Sequence, residues 1–312
     1  MSTLSFLYSQ LCVEPKAPQH DFTGQTIVIT GGNAGLGFEA ARHLIRLNAS
    51  RIILGVRSIS RGAEAKQSLL AGEPSSPCHI ELLSLDLESY ASVQAFTASV
   101  SALDRVDAVL LNAGKVTQDF YLVEGNESTL TVNVTSTFLL LITLLPCLRL
   151  SAARWDIIPR VSIVSSDRHV ESNLPEWREK DTFAVLNDPE KADMNKRRVH
   201  QFLNPNISHK SAYHVSKLLQ ILLTKAIAER LAQAERLESD KPGPTVIINT
   251  LTPGMCRSGL SRNLHGWFGA QIAVMTRLLA RTTEVGGRTL VSAIVQGYES
   301  HGKYMNDGEV QE

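Results

Sequence analysis

The sequence predicts a doubly wound α/β fold with a parallel sheet in a single domain. Short β-branched runs alternate with longer helical patterns from residue 25 to about residue 300. The runs are apolar throughout, as strands that are buried on both faces of a parallel sheet must be. Because no linker rich in Pro, Gly or Ser divides the alternation, we expect one domain at 22–312 after an N-terminal extension at 1–21.

One long interval interrupts the alternation of strands and helices. Residues 167–212 are polar and irregular, and loops of this length in a compact domain are usually functional or mobile. We therefore expect an insertion on the substrate side of the domain, within which the basic cluster 196–198 is a solvated face. The predicted strands lie at 26–30, 51–55, 80–85, 106–111, 161–165 and 245–250, and predicted crossover helices lie at 36–47, 89–100 and 128–145.

Composition excludes several classes of protein. Of 312 residues, 43% are hydrophobic and 20% are charged, which is typical of a soluble globular chain. Lys and Arg together number 31, as do Asp and Glu, so the basic excess that nucleic-acid backbones and anionic membranes attract is lacking. The four cysteines form no C-x-x-C pair, which argues against a zinc site or disulfide scaffold and favours a reducing compartment, the cytoplasm.

Two apolar runs raise the question of a membrane or export segment. The run 138–148 is shorter than the roughly 18 residues that a membrane span needs, so we interpret it as a buried core helix. The run 4–13 lacks the basic start of a signal peptide. We expect it to rest on the body of the protein, the alternative being a membrane surface.

A glycine-rich turn follows the first predicted strand. Gly31, Gly35 and Gly37 lie where a strand passes into a helix. Glycine permits a tight turn and lets backbone N–H groups approach a pyrophosphate, and the helix that begins there adds the positive end of its dipole. Any strand-to-helix turn favours glycine, so the spacing of the glycines is by itself weak evidence. Three glycines between the first strand and the following helix predict a dinucleotide site.

The residues after the second strand indicate which dinucleotide is bound. Sites for NAD usually place an acidic residue here to hold the ribose 2′-hydroxyl, whereas arginine meets the 2′-phosphate of NADP. This strand runs into Arg57 and Arg61 with no Asp or Glu between them. A pair of solvated arginines is the alternative, but the geometry of guanidinium suits phosphate, and we predict NADP(H).

Tyr213 and Lys217 form the candidate acid–base pair. They are four residues apart in a predicted helix and therefore share one face. An ordinary phenol has a pKa near 10, so acid–base work at neutral pH requires a lower value, which a fixed ammonium neighbour can provide.

These motifs together resemble the short-chain dehydrogenase/reductase family over about residues 22–305. The residues that carry the resemblance stand in the family's order: Thr30-Gly-Gly-Asn-Ala-Gly35-Leu-Gly37, Asp86-Leu87, Asn112-Ala113-Gly114, Asn133, Ser165-Ser166, Tyr213-x-x-x-Lys217 and Pro253-Gly254. The arginine pair and His301-Gly-Lys-Tyr304 resemble the NADP-preferring, retinol-dehydrogenase-like branch, which is frequent in fungal natural-product pathways.

The resemblance implies a Rossmann fold and a role for each matching residue. Tyr213 would exchange a proton with the substrate oxygen, Lys217 would lower the tyrosine pKa and bind the nicotinamide ribose, and Ser166 would orient the substrate oxygen. Asn133 would hold its helix and a water that relays protons to Lys217. The remaining cofactor contacts would come from Gly31, Asn33, Gly35, Leu36, Gly37, Arg57, Arg61, Asp86 at the adenine, Asn112 at a ribose, and Cys256 and Ser258 at the carboxamide.

The function predicted in this way is hydride transfer between NADP(H) and a carbonyl or alcohol of a small, largely apolar molecule, in secondary-metabolite biosynthesis. The alternative is a non-catalytic NADP(H)-binding sensor or structural protein on the same fold, and the intact Ser166, Tyr213 and Lys217 speak against it. The family commonly assembles through its long helices, so a homo-oligomer is among the expectations. Two departures from the family affect the expected substrate site: the long interval between Ser166 and Tyr213, and a chain that stops soon after Tyr304.

Overall fold

One sheet organises the computed structural model, which describes residues 3–117, 119–172, 174–189, 212–238 and 245–311. Eight strands in this part of the chain build the sheet: β1 (Thr26–Thr30), β2 (Arg51–Val56), β3 (His79–Ser84), β4 (Ala108–Leu111), β7 (Arg160–Val164), β8 (Ile247–Thr252), β9 (Tyr304–Asn306) and β10 (Glu309–Val310). A separate antiparallel ribbon consists of β5 (Leu122–Val123) and β6 (Asn126–Glu127).

The strand order of the sheet is β3-β2-β1-β4-β7-β8-β9-β10, and only the last pair is antiparallel. The chain therefore runs outwards from β1 to β3 and then crosses back to β4 on the other side of β1. At such a reversal of order the connections leave in opposite directions, and a ligand crevice opens outside the carboxyl ends of the strands. The doubly wound parallel sheet predicted from the sequence is confirmed.

Helices cover both faces of the sheet. On one face α4 and α6 pack side by side, and α8 joins them around a core that includes Phe96, Leu140 and Val215. On the other face α2 and α10 make the closest pair, around Leu44 and Leu290. The helices are α1 (Thr3–Cys12), α2 (Gly35–Arg46), α3 (Ile59–Gly72), α4 (Tyr90–Ser101), α5 (Ser128–Leu130), α6 (Ser136–Trp155), α7 (Thr182–Leu186), α8 (Ala212–Glu238), α9 (Gly266–Leu279) and α10 (Thr283–Ala293).

A π-helical stretch, Thr131–Thr135, joins α5 to α6. The combined helix Ser128–Trp155 is the one helical segment among the described residues that is long and apolar enough to cross a membrane. Inside the protein, 67% of its most apolar window is buried, as expected of the core helix predicted at 138–148.

Helix α1 is tied to the body of the protein by buried polar contacts. The Gln10 amide donates to the Met255 carbonyl (3.2 Å) and accepts from the Met255 N–H (2.8 Å), in the loop after β8. The buried Arg281 guanidinium donates to the Ser9 carbonyl (2.7 Å) and pairs with Asp307 (2.7 Å). The N-terminal run therefore rests on the body, as predicted.

The long interval after β7 is described as far as residue 189. It contains two short 3₁₀ helices, Asp167–Glu171 and Pro175–Arg178, followed by α7. The segment 190–211, with its basic cluster 196–198, lies outside the described residues.

Candidate active site

The glycine turn connects β1 to α2 at the carboxyl edge of the sheet. Gly31 and Gly35 have φ values of +70° and +59°, in the left-handed region that side-chain-bearing residues rarely adopt. At Gly37 a Cβ atom would lie 2.6 Å from the Asn112 Nδ2 and 2.7 Å from the Gly31 carbonyl oxygen. Ala34 is the N-cap of α2 and has no polar side chain to occupy the N–H groups of the first turn. The turn therefore presents backbone donors in a space that larger residues would fill.

Asn112, at the end of β4, supports this turn from below. Its Nδ2 donates to the carbonyl oxygens of Thr30 (2.9 Å) and Gly31 (3.3 Å), and its backbone N–H donates to Thr30 Oγ1 (3.0 Å). In this geometry the side chain fixes the backbone of the glycine turn. The ribose contact implied by the resemblance stays a prediction, as do the cofactor contacts of the half-exposed Asn33 and Leu36.

The ends of β2 and β3 place charged groups beside the same crevice. Arg57 follows β2 and Arg61 lies in the first turn of α3, both exposed. Asp86 follows β3, and its Oδ1 accepts the Glu88 N–H at 3.0 Å. Burial opposes ionisation of Glu88, but hydrogen bonds from Lys115 and Tyr121 and the charges of Lys115 and Arg57 lower the net pKa of its carboxyl group. The predicted adenine-side residues are thus neighbours at this edge.

The first turn of α8 places Tyr213 beside the end of β7. The Ser166 side chain lies close enough to the Tyr213 hydroxyl to act on its pKa. One turn further along the helix, the Lys217 Nζ lies 5.5 Å from the centre of the Tyr213 ring. Ser165 points to the other side, where its Oγ donates to the Lys217 carbonyl oxygen (3.0 Å). Successive residues of an extended strand face opposite ways, so one serine of the pair meets the tyrosine and the other anchors its helix.

Burial dominates the titration of both members of this pair. It raises the pKa of Tyr213 to about 12, opposed by the Ser166 hydrogen bond. It also lowers the pKa of Lys217 to about 7, since the lysine is 4% exposed and an ammonium is poorly solvated there. The net pKa of Tyr213 is therefore raised, and the lowering that was expected from Lys217 stays a prediction.

Lys217 is held by neutral oxygen atoms. Its Nζ donates to the Val164 carbonyl oxygen (2.8 Å) and to Gln220 Oε1 (3.0 Å). No ion pair to Lys217 occurs within the described segments of the chain. Two of the three ammonium donors are thereby used.

Asn133 lies in the π-helical stretch and is fully buried. Its Nδ2 donates to the Lys115 carbonyl oxygen (2.9 Å) and Ser216 Oγ (3.0 Å), and its Oδ1 accepts the Lys115 N–H (2.8 Å). Its own carbonyl oxygen accepts a hydrogen bond from Gln220 Nε2 (2.8 Å). Asn133 thus joins the loop after β4 to α8, and its expected water relay stays a prediction.

The loop after β8 closes the crevice from the opposite side. Ser258 lies next to the glycine turn, since its Cβ is 3.6 Å from the position that a Cβ on Gly35 would take. Burial raises the pKa of the Cys256 thiol to about 12, so this cysteine stays protonated. Asp167 stands between these groups and the tyrosine, where its Oδ1 accepts the Ser166 hydroxyl (3.1 Å) and its charge raises the pKa of both Tyr213 and Cys256.

Two site residues escaped the sequence analysis, Asp167 and Gln220. Asp167 directly follows Ser166, and Gln220 lies three residues beyond Lys217, on the same face of the helix. That spacing was the available signal for Gln220. The structure otherwise brings Ser166, Tyr213, Lys217 and Asn133 together at the edge of the sheet that carries the glycine turn.

Comparison with known proteins assigns the family. The family model for short chain dehydrogenases matches residues 25–172. The short-chain dehydrogenase anuD of Penicillium roqueforti is 51% identical over all of this chain and 76% of its own length. The short chain dehydrogenase FGM9 of Gibberella zeae is 42% identical over 99% of this chain and 84% of its own. The Pseudomonas aeruginosa RhlG/NADP active-site complex shares the fold, with a TM-score of 0.63 at 20% identity over 93% of this chain and 97% of its own. The chain belongs to the short-chain dehydrogenase family.

Proposed function

We propose that this protein is an NADP(H)-dependent oxidoreductase that interconverts a carbonyl and an alcohol on a small, largely apolar molecule, in fungal secondary metabolism. The observation that carries the proposal is the convergence of the Ser166 and Tyr213 side chains, with the buried Lys217 one helical turn further along α8. Parallel strands bring this pair and the glycine turn to the same edge of the sheet. The fungal relatives support the metabolic setting, and cysteines that form no disulfide with one another suit the cytoplasm.

The residues at the crevice fit NADP(H). The glycine turn and the N-terminus of α2 offer backbone N–H groups where a pyrophosphate would bind, and a Cβ on Gly37 would meet atoms at 2.6 Å. The exposed Arg57 and Arg61 would hold the 2′-phosphate, because guanidinium forms paired hydrogen bonds with phosphate oxygens. The likeness to a protein that was solved as an NADP complex supports this choice.

Tyr213 and Ser166 would handle the substrate oxygen. When bound, NADP(H) supplies or accepts the hydride. In the direction of reduction the Tyr213 hydroxyl donates its proton to the substrate oxygen, and in oxidation the phenolate takes that proton back. Ser166, beside Tyr213, would hold the same oxygen as its charge develops. A charged Lys217, 5.5 Å from the centre of the Tyr213 ring, would favour the phenolate.

The segment beyond the loop after β8 supports an apolar substrate. It carries large apolar side chains that are exposed to solvent, among them Trp267 (72%), Leu278 (72%) and Val274 (58%) on α9. Val274 lines one cavity together with Ser258, and exposed apolar surface beside the predicted cofactor site is suited to an organic molecule with little charge.

The test is NADPH oxidation with a panel of small apolar ketones and aldehydes. Replacing Tyr213 by Phe removes the proton donor and keeps the ring, so we expect kcat to fall by about 10²–10⁴-fold. NADPH affinity, measured by fluorescence titration, should change little. Tyr8→Phe is the matched control, because Tyr8 is 65% exposed on α1. Equal turnover by Tyr213→Phe and the wild type would refute the role of Tyr213, and NADPH binding without turnover of any substrate by the wild type would favour a binding protein.

A further inference from the structure

Gln220 connects the candidate lysine to the π-helical stretch. It is 1% exposed, and both ends of its amide are engaged. The Oε1 accepts from Lys217 Nζ at 3.0 Å, and the Nε2 donates to the Asn133 carbonyl oxygen at 2.8 Å. A single side chain thus bridges the two positions between which the resemblance implies a relaying water.

The π-helical turn explains why the Asn133 carbonyl is within reach of a side chain. In this stretch the Ser136 N–H reaches back five residues to the Thr131 carbonyl, which shifts the following hydrogen bonds out of α-helical register. The next two carbonyls accept side-chain donors: Val132 from Thr137 Oγ1 (2.8 Å) and Asn133 from Gln220.

The amide imposes a direction on the ammonium. A buried ammonium is costly unless its N–H groups are bonded, and Lys217 has the Val164 carbonyl and the Gln220 amide as acceptors. Because the amide nitrogen is held by Asn133, the amide oxygen must point at Lys217. With these two donors fixed, the third points away from both acceptors, and the centre of the Tyr213 ring lies 5.5 Å from Nζ.

We propose that Gln220 is a positioning residue that holds the Lys217 ammonium towards Tyr213 and, by filling the space between Lys217 and Asn133, closes this route to proton exchange. An amide keeps its protons at neutral pH, so the contact transmits orientation without passing a proton. This inference rests on the proposed function, because it assigns a part to Lys217 in that reaction.

In the described part of the chain, few ionisable groups lie around the Lys217 ammonium. Tyr213 on α8 is titratable, whereas its two hydrogen-bond acceptors, Val164 on β7 and Gln220 on α8, are neutral. Asp167 and Arg168, after β7, act on Tyr213 rather than on the lysine. A change at Gln220 should therefore be seen directly in the titration of Lys217.

The experiment compares two near-isosteric variants with opposite effects on the ammonium. Gln220→Met removes the acceptor, so Lys217 should lose its proton at a lower pH. Gln220→Glu places a carboxylate at the same site, so Lys217 should keep its proton to a higher pH. We expect shifts of about one pH unit in each direction, in the Lys217 titration followed by NMR of ¹³C-labelled lysine in the protein alone and in the pH–rate profile. The Met variant should also lose about tenfold in kcat at neutral pH.

Gln233→Met is the matched control, because Gln233 is an exposed glutamine on the same helix. Its titration and its rates should match those of the wild type. Thermal unfolding of all variants identifies any that fail to fold. If the Met variant fails, the Glu variant by itself still tests the inference. Lysine titrations that stay within experimental error of the wild type in folded Met or Glu variants would overturn the inference. A normal Tyr213→Phe rate would instead overturn the proposed function, so the two failures are distinguishable.

Discussion

Adding one methyl group at Gly37 tests whether the glycine turn is built for close backbone approach. In Gly37→Ala the new Cβ would lie 2.6 Å from Asn112 Nδ2 and 2.7 Å from the Gly31 carbonyl oxygen, well inside the 3.4 Å at which ordinary contact begins. One of these atoms is backbone and the other belongs to the side chain that supports the turn. Overpacking of this kind costs about 1–3 kcal/mol of unfolding free energy. The helical preference of Ala over Gly returns roughly 0.5–1 kcal/mol, which leaves a net loss of up to about 2.5 kcal/mol.

The assay is urea unfolding together with NADPH titration. We expect Gly37→Ala to be less stable than the wild type and to bind NADPH at least about tenfold more weakly, since the shifted turn would misplace its N–H donors. Gly72→Ala is the control: Gly72 ends α3 with nothing within 4 Å of its Cβ position, so the change should be neutral or slightly stabilising. If Gly37→Ala matched Gly72→Ala in both stability and NADPH affinity, the steric argument would be refuted.

Three further outcomes follow from other parts of the crevice. Replacing Arg57 and Arg61 together by Ala should weaken NADPH binding by about tenfold or more and leave NADH binding nearly unchanged, as judged by paired titrations; an unchanged preference would contradict the phosphate assignment. Asn112→Ala should lower the unfolding free energy by about 1–3 kcal/mol in urea melts, because two carbonyl oxygens of the turn lose their donor, and an undiminished stability would count against the supporting role of Asn112. Burial lowers the pKa of Lys217 from 10.5 to about 7, so between these pH values the unfolded chain binds more protons than the folded chain, and the cost of burying this lysine falls as the pH rises. Lys217→Met should therefore reduce the gain in unfolding free energy between pH 7 and pH 9. Parallel curves of unfolding free energy against pH for the two proteins would show that the pKa of Lys217 is not lowered.

The long parallel strands were predictable because periodicity and burial agree in them. The first strand was predicted at its observed bounds, Thr26–Thr30, and each of its residues is buried. The fourth strand begins two residues later than predicted, since the Asp107 carboxylate accepts the Thr26 N–H (2.8 Å) and pairs with Arg105. Such contacts between distant residues leave no local pattern. The strands β9 and β10 are too short for any periodicity to appear.

The candidate site was likewise predictable only where a local sequence pattern exists. The choice of Ser166 came from the resemblance to the family, and the pairing of Tyr213 with Lys217 follows from helical spacing. The bridging contact of Gln220 depends on the π-helical stretch in another helix, at Asn133. No residue type in the sequence predicts that change of hydrogen-bond register. Burial raises the pKa of Tyr213 and lowers that of Lys217. These shifts arise from packing and cannot be predicted from residue spacing along the chain.

The contacts of α1 set a limit on how the protein can be shortened. Arg281 joins the first helix to the last turn of the chain, through the Ser9 and Val13 carbonyl oxygens and the Asp307 carboxylate. A truncated version that starts at residue 22, the domain boundary predicted from the sequence, would strip these two carbonyl acceptors from a buried guanidinium. The same deletion would free the Met255 backbone from Gln10, in the loop after β8. Expression tags are therefore better joined to the chain through a flexible spacer than substituted for the first helix.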